Sequence, residues 1–227
     1  VSGDFYMVNK FGHKKLIIVA DCTGHGVPGA MMSMLGYGLF IEAIQSKVKG
    51  TAAQIFNYTS TNIIHLLKQH GDEGGSQDGM DASLLSYHPK TEEFEFVGAN
   101  NSGFLIGDVT FENNEKVIEH KIGDIIIYEL KPDKQPLGIN KSGTTYPFNS
   151  IKGTAKPGTR IYLLSDGYAD QFGSNYGVNP TNGGKKFRIK RLREKLAEVQ
   201  HLPMNKQHQE LHTTLSIWKG TQEQVDD

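Results

Sequence analysis

Twice in this chain an apolar run suited to a β-strand ends on an aspartate with glycine close behind. The first is Leu16-Ile17-Ile18-Val19-Ala20-Asp21, ahead of Gly24, Gly26 and Gly29; the second is Tyr162-Leu163-Leu164-Ser165-Asp166-Gly167. A single Asp-Gly pair is an ordinary turn signal. Its repetition at the ends of two hydrophobic strands constrains the fold more tightly, because strand ends that converge can build a carboxylate cluster. Asp4, in Ser2-Gly3-Asp4-Phe5-Tyr6, and Asp226, in Gln224-Val225-Asp226-Asp227, complete a set of four acidic positions.

The rest of the chain supplies the scaffold. Residues 4–9 and 15–20 read as a hairpin about Phe11-Gly12-His13, since the second run is β-branched. Helices are expected over 29–46 and 51–69, the second with one buried face at Ala52, Ile55, Phe56, Ile63, Leu66 and Leu67. The segment 71–79, GDEGGSQDG, reads as a loop, and short alternating runs from Met80 to about Ser150 read as a mostly antiparallel sheet. A strand at 160–167 and helices at 187–199 and 204–218 follow, with Gly220 as a stop. Strands, helix pair, strands, helix pair is not the regular alternation of a doubly wound parallel sheet. It fits an α+β fold, an α-β-β-α sandwich of two antiparallel sheets flanked by helix pairs.

The chain has 227 residues, of which 37% are hydrophobic and 22% charged, enough for one sizeable core, and residues 1–227 read as a single domain. Lys and Arg number 24 against 25 Asp and Glu, so the formal net charge of -1 argues against bulk attraction to nucleic acid or anionic lipid. Continuous apolar stretches reach only four or five residues, short of the roughly 20 needed to span a bilayer, and no membrane contact by this domain is expected. The single cysteine, Cys22, excludes an internal disulfide and fits a reducing, cytoplasmic compartment. Both ends read as cut. Val1 opens directly onto a motif and Asp227 closes where a further strand is expected, so the chain reads as a domain excised from a longer protein, one with room for a membrane anchor.

Oxygen-only ligands suit Mg²⁺ or Mn²⁺, whereas zinc recruits His or Cys at short spacing, and no such set occurs here. Two such ions about 3.5–4 Å apart would share a water, lower its pKa and aim the hydroxide at phosphorus, with no side-chain nucleophile. His25, in Gly24-His25-Gly26, is a candidate general acid for the leaving oxygen; the alternative is a cap on a glycine turn. Met31, Met32 and Met34 read as core, with a regulatory surface as the alternative. Asn100 and Asn101 read as a turn, and the cluster Lys185, Lys186, Arg188, Lys190, Arg191 and Arg193 as a solvated helix face.

The strings SGDFY, ADCTGHGVPGAMMSMLG, GANNSG, QPLGI, YLLSDGYADQFG and QVDD, in this order over nearly the whole chain, resemble the PPM-type phosphatases, specifically their bacterial SpoIIE/RsbU branch. The resemblance implies that Asp4, Asp21, Asp166 and Asp226 ligate two Mn²⁺ or Mg²⁺ ions. Asp21 would bridge both, the main-chain carbonyl of Cys22 would join one, and Asp170 would serve an additional metal. It implies hydrolysis of phosphoserine or phosphothreonine by a metal-bound hydroxide, on a phosphorylated STAS-type regulator such as an anti-anti-sigma factor. Upstream sensory domains would control the rate and bring two copies together as a homodimer. Eukaryotic members hold phosphate with an arginine shortly before the first aspartate; no arginine precedes Arg160 here, so phosphate binding is expected to rest on the cations. The rival reading is a catalytically silent phosphatase-fold interaction module, disfavoured because intact carboxylates held together repel one another. A phosphodiesterase is a third, lacking the histidine-rich motif it needs.

Overall fold

The computed structural model describes residues 3–46, 50–70, 77–113, 115–140, 143–174, 184–224 and 226. The glycine-rich loop expected at 71–79 lies outside these up to residue 76, as do Ser2 of the first motif and Val225 and Asp227 of the last. The chain divides into two compact units, Val1–Ile118 with Tyr128–Ser165, and Glu119–Ile127 with Asp166–Asp227.

In the first unit, β1 (Phe5–Phe11) and β2 (Lys14–Cys22) pair as an antiparallel hairpin through Gly12, whose φ is +59°. Along β2 the buried residues are Leu16, Ile18, Ala20 and Cys22, the period of two that a one-sided strand requires. Helices α1 (Gly26–Gln45) and α2 (Ala52–Leu66) follow. Then come β3 (Met80–Tyr87), β4 (Glu93–Ala99), β5 (Gly103–Ile106), β6 (Val109–Phe111), β7 (Val117–Ile122), β8 (Ile125–Leu130), β9 (Ile151–Ala155) and β10 (Arg160–Leu163). Six strands form one sheet in the order β1-β2-β3-β4-β9-β6, and four form a second, β10-β5-β8-β7; the tip of the β7–β8 hairpin belongs to the second unit.

Strand periodicity gives the large sheet two apolar faces. Ile18, Ala20, Met80, Ala82, Leu84 and Val97 pack beneath Leu39 and Phe40 of α1 and Ile55, Phe56 and Ile63 of α2. The rings of Phe40 and Phe56 meet at 5.8 Å. On the opposite face Leu85, Phe94, Phe96 and Ile151 cluster with Leu105 and Leu130 of the small sheet. Helices, sheet and sheet are therefore stacked layers around two cores, the arrangement expected of an α+β sandwich.

The second unit contains α3 (Gly167–Asp170), the short pair β11 (Phe172–Gly173) and β12 (Lys185–Lys186), α4 (Arg188–Val199) and α5 (Met204–Lys219). Phe187 stacks edge-on against Tyr168 and Trp218, each at 5.2 Å, and the Arg191 guanidinium lies 4.7 Å over the Trp218 ring. Arg191 is thus a packing element of the helix pair, and Lys185 and Lys186 sit on a strand, so the basic cluster is not simply one solvated helix face.

Three expectations change in detail. Leu66 is exposed, because at the last turn of α2 it rotates away from the face of Ile55, Phe56 and Ile63. Of the methionines on α1 only Met32 is buried, whereas Met31 and Met34 are 67% and 77% exposed; a helix turns about 100° per residue and cannot bury all three of so short a run. By length and composition α1 is apolar enough to cross a membrane. Continuous runs concealed this, since Ser33, Gly36, Tyr37 and Gly38 interrupt them without adding charge. In this fold α1 buries Leu39, Phe40, Ala43 and Ile44 in the core.

Candidate functional site

In the first unit the site is built where β2 ends. Asp21 stands directly opposite Asp81 in the β2–β3 ladder, and Cys22 opposite Met80. The pairing continues past the strand, with Thr23 N donating to Gly79 O at 3.0 Å and Gly79 N to Thr23 Oγ1 at 3.0 Å. The chain then turns sharply into α1, with Gly24 and Gly26 both at positive φ, and doubles back so closely that a Cβ on Gly29 would lie 2.6 Å from Gly24 O.

The same closeness delivers Asp4. A Cβ on Gly3 would lie 2.8 Å from the carbonyl oxygen of Cys22, so only glycine lets this segment lie against the β2 end. Ser33 of α1 secures the approach, its hydroxyl lying 2.5 Å from Gly3 O and 2.9 Å from Gly29 O. Asp4 Oδ1 is shut off from solvent. Both carboxylates bear on Cys22. Burial pushes its thiol up to about 12, and the charges of Asp21 and Asp4 push the same way against a hydrogen bond from Ser33. The sulfur therefore keeps its proton at neutral pH.

His25 occupies the N-cap position of α1, exposed, and its side chain makes no capping hydrogen bond. Asn100, read from sequence as a turn residue without chemistry, adopts the left-handed conformation at φ +58° and donates from Nδ2 to Asp81 Oδ1 at 2.7 Å. Asp81 and Asn100 are thus members of the site that sequence reasoning missed. The available signal was asparagine at the end of an apolar strand, a residue that tolerates this backbone.

In the second unit Asp166 sits at the N-cap of α3, exposed by surface area yet crowded by protein. Its carboxyl is held above the usual range by partial burial first, then by the charges of Asp226 and Asp170, with Lys186 opposing. Carboxylate oxygens of Asp166 and Asp226 lie within 4.8 Å of each other. Asp170 is ion-paired with Lys186 at 2.5 Å. The approach of Asp226 is organised by buried Gln171, which donates from Nε2 to Glu223 O at 2.9 Å while its main-chain carbonyl accepts from Trp218 Nε1 at 3.0 Å.

Each unit thus gathers sequence-predicted residues: Asp4 and Asp21 about Cys22 in the first, Asp166, Asp226 and Asp170 in the second. The donors are carboxylate and carbonyl oxygens, a set that fits hard divalent cations of the Mg²⁺ or Mn²⁺ type. Like charges brought this close raise one another's proton affinity, and a bound cation relieves that cost.

Solved phosphatase domains share the fold. The SiaA-PP2C domain of Pseudomonas aeruginosa is 26% identical, with a TM-score of 0.78 over 100% of this chain and 78% of that one. The PP2C phosphatase domain with a regulatory fragment of the cell fate determinant SpoIIE from Bacillus subtilis is 15% identical, TM-score 0.63, covering 100% of this chain and 56% of that one. The catalytic domain of the serine threonine phosphatase PstP, solved with 2 manganese ions, is 15% identical, TM-score 0.52, covering 96% and 87%. The last two likenesses carry the fold alone. No curated protein sequence matches the chain. Residues 12–227 match the family model described as stage II sporulation protein E. With the antiparallel α+β fold, and with Asp21 at the end of β2 and Asp166 at the start of α3 both inside that match, the chain belongs to the SpoIIE family, the SpoIIE/RsbU branch of the PPM-type phosphatases.

Proposed function

We propose that this chain is a metal-dependent protein serine/threonine phosphatase acting on a phosphorylated regulatory protein. The observation that carries the reading is the oxygen-only crowding of carboxylates, Asp4 and Asp21 at Cys22 and Asp166 beside Asp226, at a cost that bound cations would relieve. The manganese ions of the PstP structure support the choice of metal. In this reading Asp4, Asp21, Asp166 and Asp226 are the ligands of two Mn²⁺ or Mg²⁺ ions. The Cys22 carbonyl adds a ligand, and Asp170 serves a further ion when released from Lys186. When bound, such ions supply Lewis acidity that acidifies a water and neutralises phosphoryl oxygens.

The chain's own residues do the rest. Ser33 and the glycine contacts hold the Asp4 segment against the end of β2, so the ligands are positioned before any ion arrives. Asn100 fixes Asp81 across from Asp21. His25, exposed at the start of α1, is in this reading the group that hands a proton to the leaving serine or threonine oxygen. The protonated Cys22 thiol takes no part as a nucleophile. A phosphorylated STAS-type regulator is the substrate class we assign, with sensory domains elsewhere in a longer protein setting the rate and the dimeric state.

Phosphate release from a phosphoserine peptide should require Mn²⁺ and fall by about 100-fold or more in Asp21→Asn, since even outer-shell changes at metal sites cost 10–100-fold. An unchanged rate in that variant would sink the mechanism. A folded wild-type chain with no Mn²⁺ binding by calorimetry would favour the silent module instead.

A further inference from the structure

Asp81, the cross-strand partner of Asp21, also forms part of the wall of a cavity of about 590 Å³ in the first unit. Thr23, Gln77, Asn100, Lys134 and Asn140 line it as well, beside the apolar Pro136 and Ile139. Directly opposed residues of an antiparallel pair project from the same face of the sheet, which puts this wall beside Asp21.

The wall is anchored at several points. The segment from 131 to 137 is pinned at Asp133, whose N donates to Gly98 O at 2.9 Å and whose O accepts from Asn100 N at 2.9 Å. It is pinned again at Leu137, which exchanges both main-chain bonds with Met80, at 2.8 and 3.1 Å. Between these anchors the Gln135 amide satisfies both polar groups of the Tyr146 main chain, donating at 2.6 Å and accepting at 3.0 Å. Lys134 therefore projects from backbone that is held on both sides.

Its charge is not spent within the fold. The neighbouring Lys131 is paired with Glu129 at 2.6 Å, and Asp133 with Lys116. Asp81 takes its bond from Asn100. Among the described residues no carboxylate pairs with Lys134, and its side chain is exposed at the cavity. An ammonium on rigid backbone, among the amide and hydroxyl side chains of this cavity and beside a proposed cation site, is suited to an anion. A phosphate fits best, because Lys binds it as a compact point charge with three donors and no fixed fork geometry to satisfy.

We propose that this cavity receives the phosphorylated residue of the substrate and that Lys134 is its phosphate-binding cation. The inference rests on the phosphatase reading above and adds a protein charge to phosphate recognition, where the sequence pointed mainly to the metal ions. Gln77 and Asn100 supply neutral amide groups to the same cavity, fitted to hydrogen-bond the polypeptide around the phosphorylated side chain.

Two measurements on the full chain, wild type, Lys134→Ala and Lys134→Arg, decide the matter. The first titrates inorganic phosphate into metal-free protein and follows ³¹P resonance; the second determines KM for a phosphoserine peptide, and product inhibition by phosphate, at saturating Mn²⁺. Loss of one charge-assisted contact should weaken phosphate binding and raise KM about tenfold in Lys134→Ala, with Lys134→Arg recovering most of both and Mn²⁺ affinity unchanged. Wild type and Lys134→Ala with equal phosphate affinity, or a wild type that binds no phosphate without metal, would overturn the assignment. A wild type that binds phosphate through Lys134 but neither binds Mn²⁺ nor releases phosphate would instead retire the catalytic reading and leave the anion site standing.

Discussion

A thiol next to two carboxylates would ordinarily invite a catalytic reading, and Cys22 shows why position decides otherwise. Burial is the largest influence on it, ahead of the carboxylates, and together they push the thiol from 9.0 up to about 12. Ellman's reagent at pH 8 should therefore find no reactive thiol in the native chain and one per chain after denaturation; full native reactivity would contradict the burial. The pH dependence has a definite sign. Because the folded thiol holds its proton more firmly than the unfolded one, its contribution to stability is complete below pH 9.0 and is lost as pH rises towards about 12. Asp166 is raised as well, by partial burial and by the charges of Asp226 and Asp170, so its carboxyl gives up its proton at a higher pH than a free aspartate does.

At the scale of elements, α2 is the clearest case of local chemistry agreeing with tertiary demand. Thr51 accepts from Gln54 N, and Gln54 Oε1 accepts from Thr51 N, each at 3.2 Å, a capping box that ends the preceding chain and starts the helix. Buried Glu95 on β4 accepts from Ala52 N at 3.0 Å, placing a carboxylate at the positive end of the helix. Thr51→Ala should cost about 1 kcal/mol in urea unfolding with little change in m-value. A loss near zero would mean that Glu95 and the buried face of α2 hold the helix start without the box. By contrast α1 has no side-chain cap, and its start is set by the glycine turn that follows Asp21. The helix that carries the site is thus positioned by the site's own turn.

For the whole molecule the proposal requires ions that bind the folded chain and have no comparable site in the unfolded one. Mn²⁺ at about 100 times its dissociation constant should then stabilise by about 2.7 kcal/mol, read as a rise in melting temperature that EDTA reverses. Asp21→Asn should abolish most of that rise while leaving the metal-free melt no lower than that of the wild type, since one repelling charge is gone. A melt indifferent to Mn²⁺ would argue that the carboxylates crowd without a cation to gain. The near-neutral composition has its consequence at this scale as well: with a net charge of -1, anion recognition must come from local placement, as at Lys134, and not from the field of the whole chain.

Sequence alone indicated the longer elements and their order, because the β-branched run of β2, the apolar spacing of α2 and the stop at Gly220 are local properties, but it carried the strand at 160–167 past Leu163, where β10 ends, and gave no sign of α3, β11 or β12. It also marked the aspartates, since a carboxylate at the end of an apolar strand is visible without knowing where the strand lies. It could not supply the pairing of Asp21 with Asp81, the bond from Asn100 to Asp81, or the anchoring of Lys134 between Gly98 and Met80. These join residues tens of positions apart, and no local pattern encodes which distant backbone a segment will meet. The same holds for Gly3 and for the methionines of α1. Only the packing of a particular neighbour decides whether a glycine is indispensable or a methionine is core, and that is settled by the competition of many long-range contacts in the folded chain.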